Sequence, residues 1–246
     1  MKVLAIIPAR YASSRFPGKP LVDIAGKSMV QRVYEQAMKA KEVDQVIVAT
    51  DDERIFSHVK QLGYHVMMTS SKHRSGTDRC AEIASQLTDY EIVVNIQGDE
   101  PFIHPVQIDQ LILTLKNSNA SIATLAKKIE NSSTLFNANV VKVVRTASNF
   151  ALYFSRSPIP FFRVENQENW INNHNYLKHL GLYAFRRDTL LELAQLEESP
   201  LERAESLEQL RWLEADYQIA LALTELESIG IDTAEDLAIA LEKMKI

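Results

Sequence analysis

Three cationic side chains, Arg10, Arg15 and Lys19, crowd the stretch IIPARYASSRFPGKPL, and no acidic residue lies between Val3 and Val22. Cations gathered without local counterions call for an anion from outside, and a polyphosphate fits. Arg and Lys give its oxygens charge-assisted hydrogen bonds, backbone amides from Ala12 to Ser14 add donors, and Pro17 and Pro20 stiffen the turn. The plainer alternative is three solvated loop charges. Position favours a site, because the loop leaves an apolar strand and open α/β sheets bind ligands beyond the carboxyl ends of their strands.

Two well-known phosphate loops are absent. The dinucleotide fingerprint needs three glycines within six residues, whereas the glycines here stand at 18, 26, 63, 76, 98, 181 and 230. A Walker A loop built on Gly18 and Lys19 would need Gly at 13 and Ser or Thr at 20, where Ser13 and Pro20 stand.

The elements that must position this loop are legible as a βα alternation, the pattern of a largely parallel sheet. Val3 to Ala9, Val46 to Thr50, His65 to Met68 and Ile92 to Gln97 read as strands. Between them KSMVQRVYEQAMKA sets Met29, Val30, Val33, Tyr34, Ala37 and Met38 on one helical stripe. DERIFSHVKQLG and SGTDRCAEIASQL read as further helices with N-caps, the first ending at Gly63. From Ser121 onward IATLAKKI, VVKVVRT, FALYFSR and LKHLGLYAF predict antiparallel strands that extend the sheet or form a small lobe. Helices after Pro200 (PLERAESLEQLRWLEA) and Thr233 (TAEDLAIALEKMK) close the chain. The polar stretch from Arg163 to Asn175 reads as a loop.

At 246 residues with 46% hydrophobic and 24% charged, the chain has room for one buried core. A net charge of -5 argues against broad electrostatic binding of nucleic acid, so the local cations serve a local anion. One cysteine, Cys80, excludes an internal disulfide and suits a reducing compartment; it reads as a small buried side chain rather than a nucleophile. No apolar run approaches the roughly 20 residues of a membrane helix, and the start lacks a signal-peptide core. The expectation is a cytoplasmic protein with no membrane partner.

Eight segments, IIPARYASSRFPGKPL, VATDDERI, SGTDR, NIQGDEPFI, ALYFSRSPIPFFR, KHLGLYAF, LEQLRWLE and GIDTAEDL, occur in this order from Ile6 to Leu237. Together they resemble the 3-deoxy-manno-octulosonate cytidylyltransferase family. Ala138 departs from the pattern where Pro is expected, and TELESIGIDT is more compact than the matching run in relatives. The resemblance implies a Rossmann-like nucleotidyltransferase with a mixed, mostly parallel central sheet and a small antiparallel extension. The chain would form a single domain, 1–246, with a smaller antiparallel or dimerisation region around 121–186. It also implies transfer of CMP from CTP to an acidic octulosonate sugar (Kdo) with release of pyrophosphate for lipopolysaccharide assembly, a Mg2+ cofactor, and a homodimer.

Residue by residue, the resemblance makes Arg10, Lys19 and Asp99 catalytic. It draws the nucleotide site from Pro8, Ala9, Arg10, Ser13, Arg15, Lys19, Thr50, Asp51, Ser75, Gly76 and Gln97. Asp99 follows a buried strand, and Mg2+ favours one or two carboxylates together with phosphate oxygens. An ordinary tight turn at Gly98 and Asp99 is the bland alternative, and Glu100, pointing the other way, is a weaker ligand. The family pattern supplies Asp232 as second metal ligand; Glu235 and Asp236 are explained by the helix that follows Thr233. For the sugar, the resemblance draws on Arg79, Gln97, His179, Tyr183, Glu208 and Gln209. His179, Gly181 and Tyr183 share one strand face, leaving space between two polar rings, although a strand His is as readily a hydrogen-bonded core residue. Arg79 follows the Ser75 cap and can grip a carboxylate bidentately. With Leu207, Leu210 and Leu213 as a core stripe, Glu208 and Gln209 become hydroxyl partners or a solvated helix face.

Overall fold

The computed structural model describes residues 1–12, 16–164, 166–227 and 230–244. In chain order its elements are β1 (Val3–Ala9), β2 (Asp23–Ile24), β3 (Lys27–Ser28), α1 (Met29–Ala37), β4 (Gln45–Thr50), α2 (Glu53–Gln61), β5 (Val66–Met68), α3 (Gly76–Gln86), β6 (Ile92–Asn95) and α4 (Pro105–Lys116). There follow β7 (Ile122–Lys128), α5 (Ser132–Phe136), β8 (Lys142–Arg145), β9 (Ala151–Ser155), α6 (Trp170–Asn173), β10 (Leu177–Arg186), α7 (Arg187–Leu193), α8 (Pro200–Glu205), α9 (Gln209–Glu214), β11 (Ile219–Leu223) and α10 (Ala234–Met244).

The main sheet runs β11-β7-β10-β6-β1-β4-β5. β1 pairs in parallel with β4 on one side and β6 on the other, so the chain builds outward from β1 twice, in opposite directions. That reversal is a topological switch point, where the helices that follow neighbouring strands part and leave a crevice. β1 is buried on both faces and therefore reads as an unbroken apolar run. Val3, Ala5, Ile7 and Ala9 join one core layer with residues of α1, α2 and α4. Leu4 and Ile6 point into the other, with residues of α3, α7 and α9. A third, smaller core joins Ile24 and Met29 to Ile231 and Ala240, with Phe16, Phe102 and Leu237 against it. It seats the last helix on the segment that follows the cationic loop.

Helix starts follow the local chemistry. Ser28 caps α1, Asp52 caps α2, and Ser75 with Asp78 forms a capping box on α3. α1 buries Met29, Val30, Val33, Tyr34 and Ala37, but Met38, expected on the same stripe, is exposed because the helix ends one residue earlier. β10 is antiparallel to β6 and β7, and β8 with β9 forms the expected antiparallel pair beside it. The expected helix after Pro200 divides in two, because Ser206 takes a left-handed conformation at φ 52°. Outside the sequence expectation lie β2 and β3, α4, α5, α7 and β11, which pairs in parallel with β7; the stretch expected as a loop from Arg163 to Asn175 carries α6, seated by the buried Trp170. Among the described residues, no helix is long and apolar enough to cross a membrane.

Candidate active site

Beyond the carboxyl ends of β1 and β6 lies a cleft of about 260 Å³ lined by Pro8, Ala9, Arg10, Ala12, Lys19, Pro20, Arg74, Gly76, Gln97, Gly98 and Asp99. Two glycines make it. A Cβ on Gly98 would sit 2.7 Å from the Pro8 carbonyl oxygen, and one on Gly76 would sit 3.1 Å from Pro8 Cγ. Only bare backbone lets the Asp99 loop and the α3 N-terminus both close on the end of β1. A larger cavity of about 510 Å³, among Val143, Ile159, His174 and Leu177, contains none of the residues expected in the site.

Lys19 sits in a 3-10 turn, Lys19–Leu21, entered through Gly18 at φ 73°. Its Nζ lies 2.7 Å from Asp99 Oδ2 and 2.9 Å from Asp232 Oδ1. The carboxylates, from positions far apart in the chain, are also tied through backbone: Ile231 N–H donates to the Asp99 carbonyl at 2.8 Å. Burial works against the Lys19 charge, but Asp99 and then Asp232 more than offset it, so the ammonium is held above its ordinary pKa. Asp236 accepts from the amides of Asp232 and Thr233 and caps α10 as expected.

Arg10 is occupied differently from expectation. Its guanidinium donates to the carbonyls of His73, Arg74 and Ser75, the last at 3.3 Å, and so fastens the end of β1 to the approach of α3. Burial and the neighbouring Arg79 lower its pKa. Arg79 is fully buried, with Nη2 3.1 Å from Asp51 Oδ2 and a further hydrogen bond to Thr69. The carboxylate it grips in this structure is therefore one of the protein's own. Thr50 is likewise fully buried, its carbonyl taken by Thr69 N–H at 2.8 Å, so it supports the site from beneath. Ser13 and Arg15 lie outside the described residues.

Three of the residues expected at the sugar, His179, Tyr183 and Gln97, lie near one another. His179 and Tyr183 have ring centroids 5.2 Å apart, and a Cβ on Gly181 would meet nothing within 4 Å, although a register shift between Leu180 and Tyr183 interrupts the strand alternation. Gln97 Nε2 donates to the Gly181 carbonyl at 3.1 Å and so joins the nucleotide side to this one. His179 Nε2 lies 2.9 Å from Thr124 Oγ1, whose single proton goes to the Leu182 carbonyl at 2.9 Å. A second carbonyl, that of Leu180, also lies 3.2 Å from Thr124 Oγ1, so the hydroxyl proton goes to a carbonyl and assigns the donor role to Nε2; burial lowers the ring's pKa to about 3 and keeps it neutral. Tyr183 is buried with no hydrogen-bond partner for its hydroxyl among the described residues, and burial, then Glu208, raises its pKa well above the ordinary value.

Helix-face solvation fails for Glu208 and Gln209. Gln209 is buried, and Glu208 accepts from Thr77 Oγ1 at 2.6 Å and from Arg211 Nη2 at 2.9 Å. Burial raises the Glu208 pKa against the pull of Thr77 and Ser75. Leu207, Leu210 and Trp212 are buried, and Leu213 packs, partly buried, against the same core.

The chain matches the cytidylyltransferase family model over residues 4–222. It is 54% identical over 246 residues to a 3-deoxy-manno-octulosonate cytidylyltransferase of Parabacteroides distasonis, covering 98% of this chain and 97% of that one. To the protein of the same name in Cytophaga hutchinsonii it is 51% identical over 241 residues, 96% and 95% covered. A solved structure described as CMP:2-keto-3-deoxy-manno-octonic acid synthetase complexed with CTP superposes with a TM-score of 0.93 at 42% identity, with 100% of this chain and 99% of that one covered. With identity of this order running over the whole length, the chain belongs to the 3-deoxy-manno-octulosonate cytidylyltransferase family.

Proposed function

We propose that the protein transfers CMP from CTP to Kdo and releases pyrophosphate, using Mg2+ held by Asp99 and Asp232. The observation that carries this reading is the meeting of those two carboxylates around one cation at the mouth of the switch-point cleft. The donor set fits the metal: two carboxylates beside a phosphate-sized cleft leave the remaining positions to phosphate oxygens and water, the sparse protein ligation typical of Mg2+. When bound, Mg2+ neutralises phosphate charge and polarises the phosphorus under attack.

The protein's own residues do the rest. Lys19 and Arg10 supply positive charge on the wall where pyrophosphate charge develops, and donors aimed at developing charge lower the barrier more than they improve ground-state binding. Amides at the α3 N-terminus, opened by Gly76, face the same anion. On the other wall Glu208, His179, Tyr183 and Gln97 line the sugar, with the neutral His179 ring and buried Tyr183 hydroxyl offering hydrogen bonds without charge. Holding the anomeric hydroxyl in line with the phosphorus is an orienting task, and fixed neutral groups suit it.

Two further parts of the reading concern setting. A homodimer would use the antiparallel region, where Leu152, Phe161 and Val164 stand exposed. A reaction that consumes CTP belongs in the cytoplasm, where nucleotides are made. The test is pyrophosphate release from CTP with Kdo, an amino-substituted analogue and sialic acid in parallel. Release with Kdo carries the proposal; release with sialic acid alone reassigns the sugar; CTP binding without release from any sugar leaves a nucleotide-binding protein with no transferase activity.

A further inference from the structure

We infer that the Lys19 ammonium is a tethered stand-in for the divalent cation, occupying the two carboxylates until a nucleotide brings the metal and takes the lysine away. The inference rests on the reading of Asp99 and Asp232 as the metal pair. Nζ is within 2.9 Å of an oxygen from each, and the lysine side chain is only 14% exposed. Two carboxylates drawn together at a cleft repel one another unless a cation stands between them. Lys19 supplies that cation from within the chain, so the protein folds this corner without a metal.

The same contact makes metal entry competitive. A dication on these oxygens would sit within a few ångströms of Nζ, and like charges that close exclude each other. Among the described residues, no group of three or more His, Cys, Asp or Glu could hold a metal. Two carboxylates already satisfied by an ammonium are a poor site for a free divalent cation. Phosphate oxygens change both sides of the balance, because they add ligands for the metal and offer Nζ another acceptor in the cleft that Lys19 already lines.

The anatomy suits a side chain that moves on a backbone that does not. Gly18 and Pro20 fix the 3-10 turn, and the Gly18 amide donates to the Tyr11 carbonyl at 2.9 Å. Phe16 and Val22, on either side, pack on the third core. The lysine stem has four rotatable carbons and ends in a compact point charge, so it can leave one set of oxygens for another, whereas a planar arginine fork would be bound to one geometry.

The test is Mn2+ titration of nucleotide-free protein, followed by the electron paramagnetic resonance of free Mn2+. Lys19→Met should bind Mn2+ on the order of tenfold more tightly than the wild type, the size of an ordinary coupling between competing ligands. Lys19→Gln, which keeps polarity without charge, should show the same gain if the methionine variant fails to fold. Adding Asp99→Asn should abolish the gain and place it at this pair. Mn2+ should also raise the melting temperature of Lys19→Met more than that of the wild type, since tighter binding to the native state stabilises more. Equal Mn2+ affinity in wild type and both Lys19 variants overturns the inference, as does a gain that survives Asp99→Asn. Pyrophosphate release by the wild type is read separately: release with equal Mn2+ affinities sinks the stand-in alone, and a Mn2+ gain without release from any acidic sugar sinks the transferase reading alone.

Discussion

At the end of β1, charged groups hold one another: Lys19 bridges Asp99 and Asp232, and Arg10 is fastened to three backbone carbonyls. On the β10 and α9 side the polar groups are settled by burial instead, with His179 neutral, the Tyr183 hydroxyl unpartnered among the described residues, and Glu208 fixed by Thr77 and Arg211. On the proposed reading, the Lys19 ion pairs are what an incoming polyphosphate and metal would exchange, whereas the second wall is made of neutral or enclosed groups that would keep their state. A highly charged ligand supplies the energy to rearrange charged contacts, whereas a sugar with many hydroxyls is better recognised by donors and acceptors already in place.

The contrast breaks first at Asp99. Asp99→Asn keeps shape and removes the negative charge, and if Asp99 holds the proposed metal turnover should fall by about a thousandfold, the loss of several kcal/mol of charge stabilisation, while circular dichroism shows an unchanged fold. Pre-steady-state kinetics with CTP and Kdo would measure it, and near-normal turnover at ordinary Mg2+ would show the two walls to be alike. Lys19→Ala comes next, with a fall in kcat of roughly a hundredfold, or about 3 kcal/mol, typical for loss of a donor aimed at developing charge. CTP affinity by calorimetry should weaken far less; the reverse pattern would make Lys19 a capture residue.

Glycines sharpen the comparison in stability rather than rate. Gly98→Ala drives a methyl against the Pro8 carbonyl oxygen and should destabilise by about 1–3 kcal/mol, as overpacking does. Gly181→Ala meets open space and should stay within about 0.5 kcal/mol in urea unfolding. If it also raises the KM for Kdo and not for CTP, the space beside Gly181 is where the sugar lies.

A further effect is one of pH. His179 is held neutral to about pH 3 by burial, while the unfolded chain takes up a proton near its ordinary value of about 6.5. The unfolded state thus binds more protons between these values, and stability contributed by this site falls as pH drops through that window. Between pH 7 and pH 5 the loss should reach about 2 kcal/mol, and His179→Asn should remove that part of the slope in urea melts. An unchanged slope would mean that the ring accepts a proton in the native state and that the sugar wall is not electrically fixed.

How far this was legible from sequence differs by element. The strand from Val3 to Ala9 and the helix from Met29 announce themselves because their apolar residues follow the period of the element they form. Ser75 and Asp78 announce the α3 start because a capping box is a contact between near neighbours in sequence. β11 did not stand out, because Ile-Ala-Leu-Ala-Leu suits a helix as well as a strand, and only the open edge of β7 makes it a strand. The burial of Gln209 and the hold of Thr77 on Glu208 do not show in their spacing, because they depend on what α9 meets in space.

The opening loop marks the boundary most clearly. Sequence alone determined that three cations lie together after a buried strand with no acidic residue nearby, and hence that they need an anion. Tertiary structure decided which anions Lys19 meets: Asp99 and Asp232 stand 80 and 213 residues away in the chain. The reason is physical. Charge pairing is a matter of distance in space, and only the folding of Gly98 against Pro8 and the seating of the last helix on Ile24 and Met29 bring those carboxylates to one ammonium.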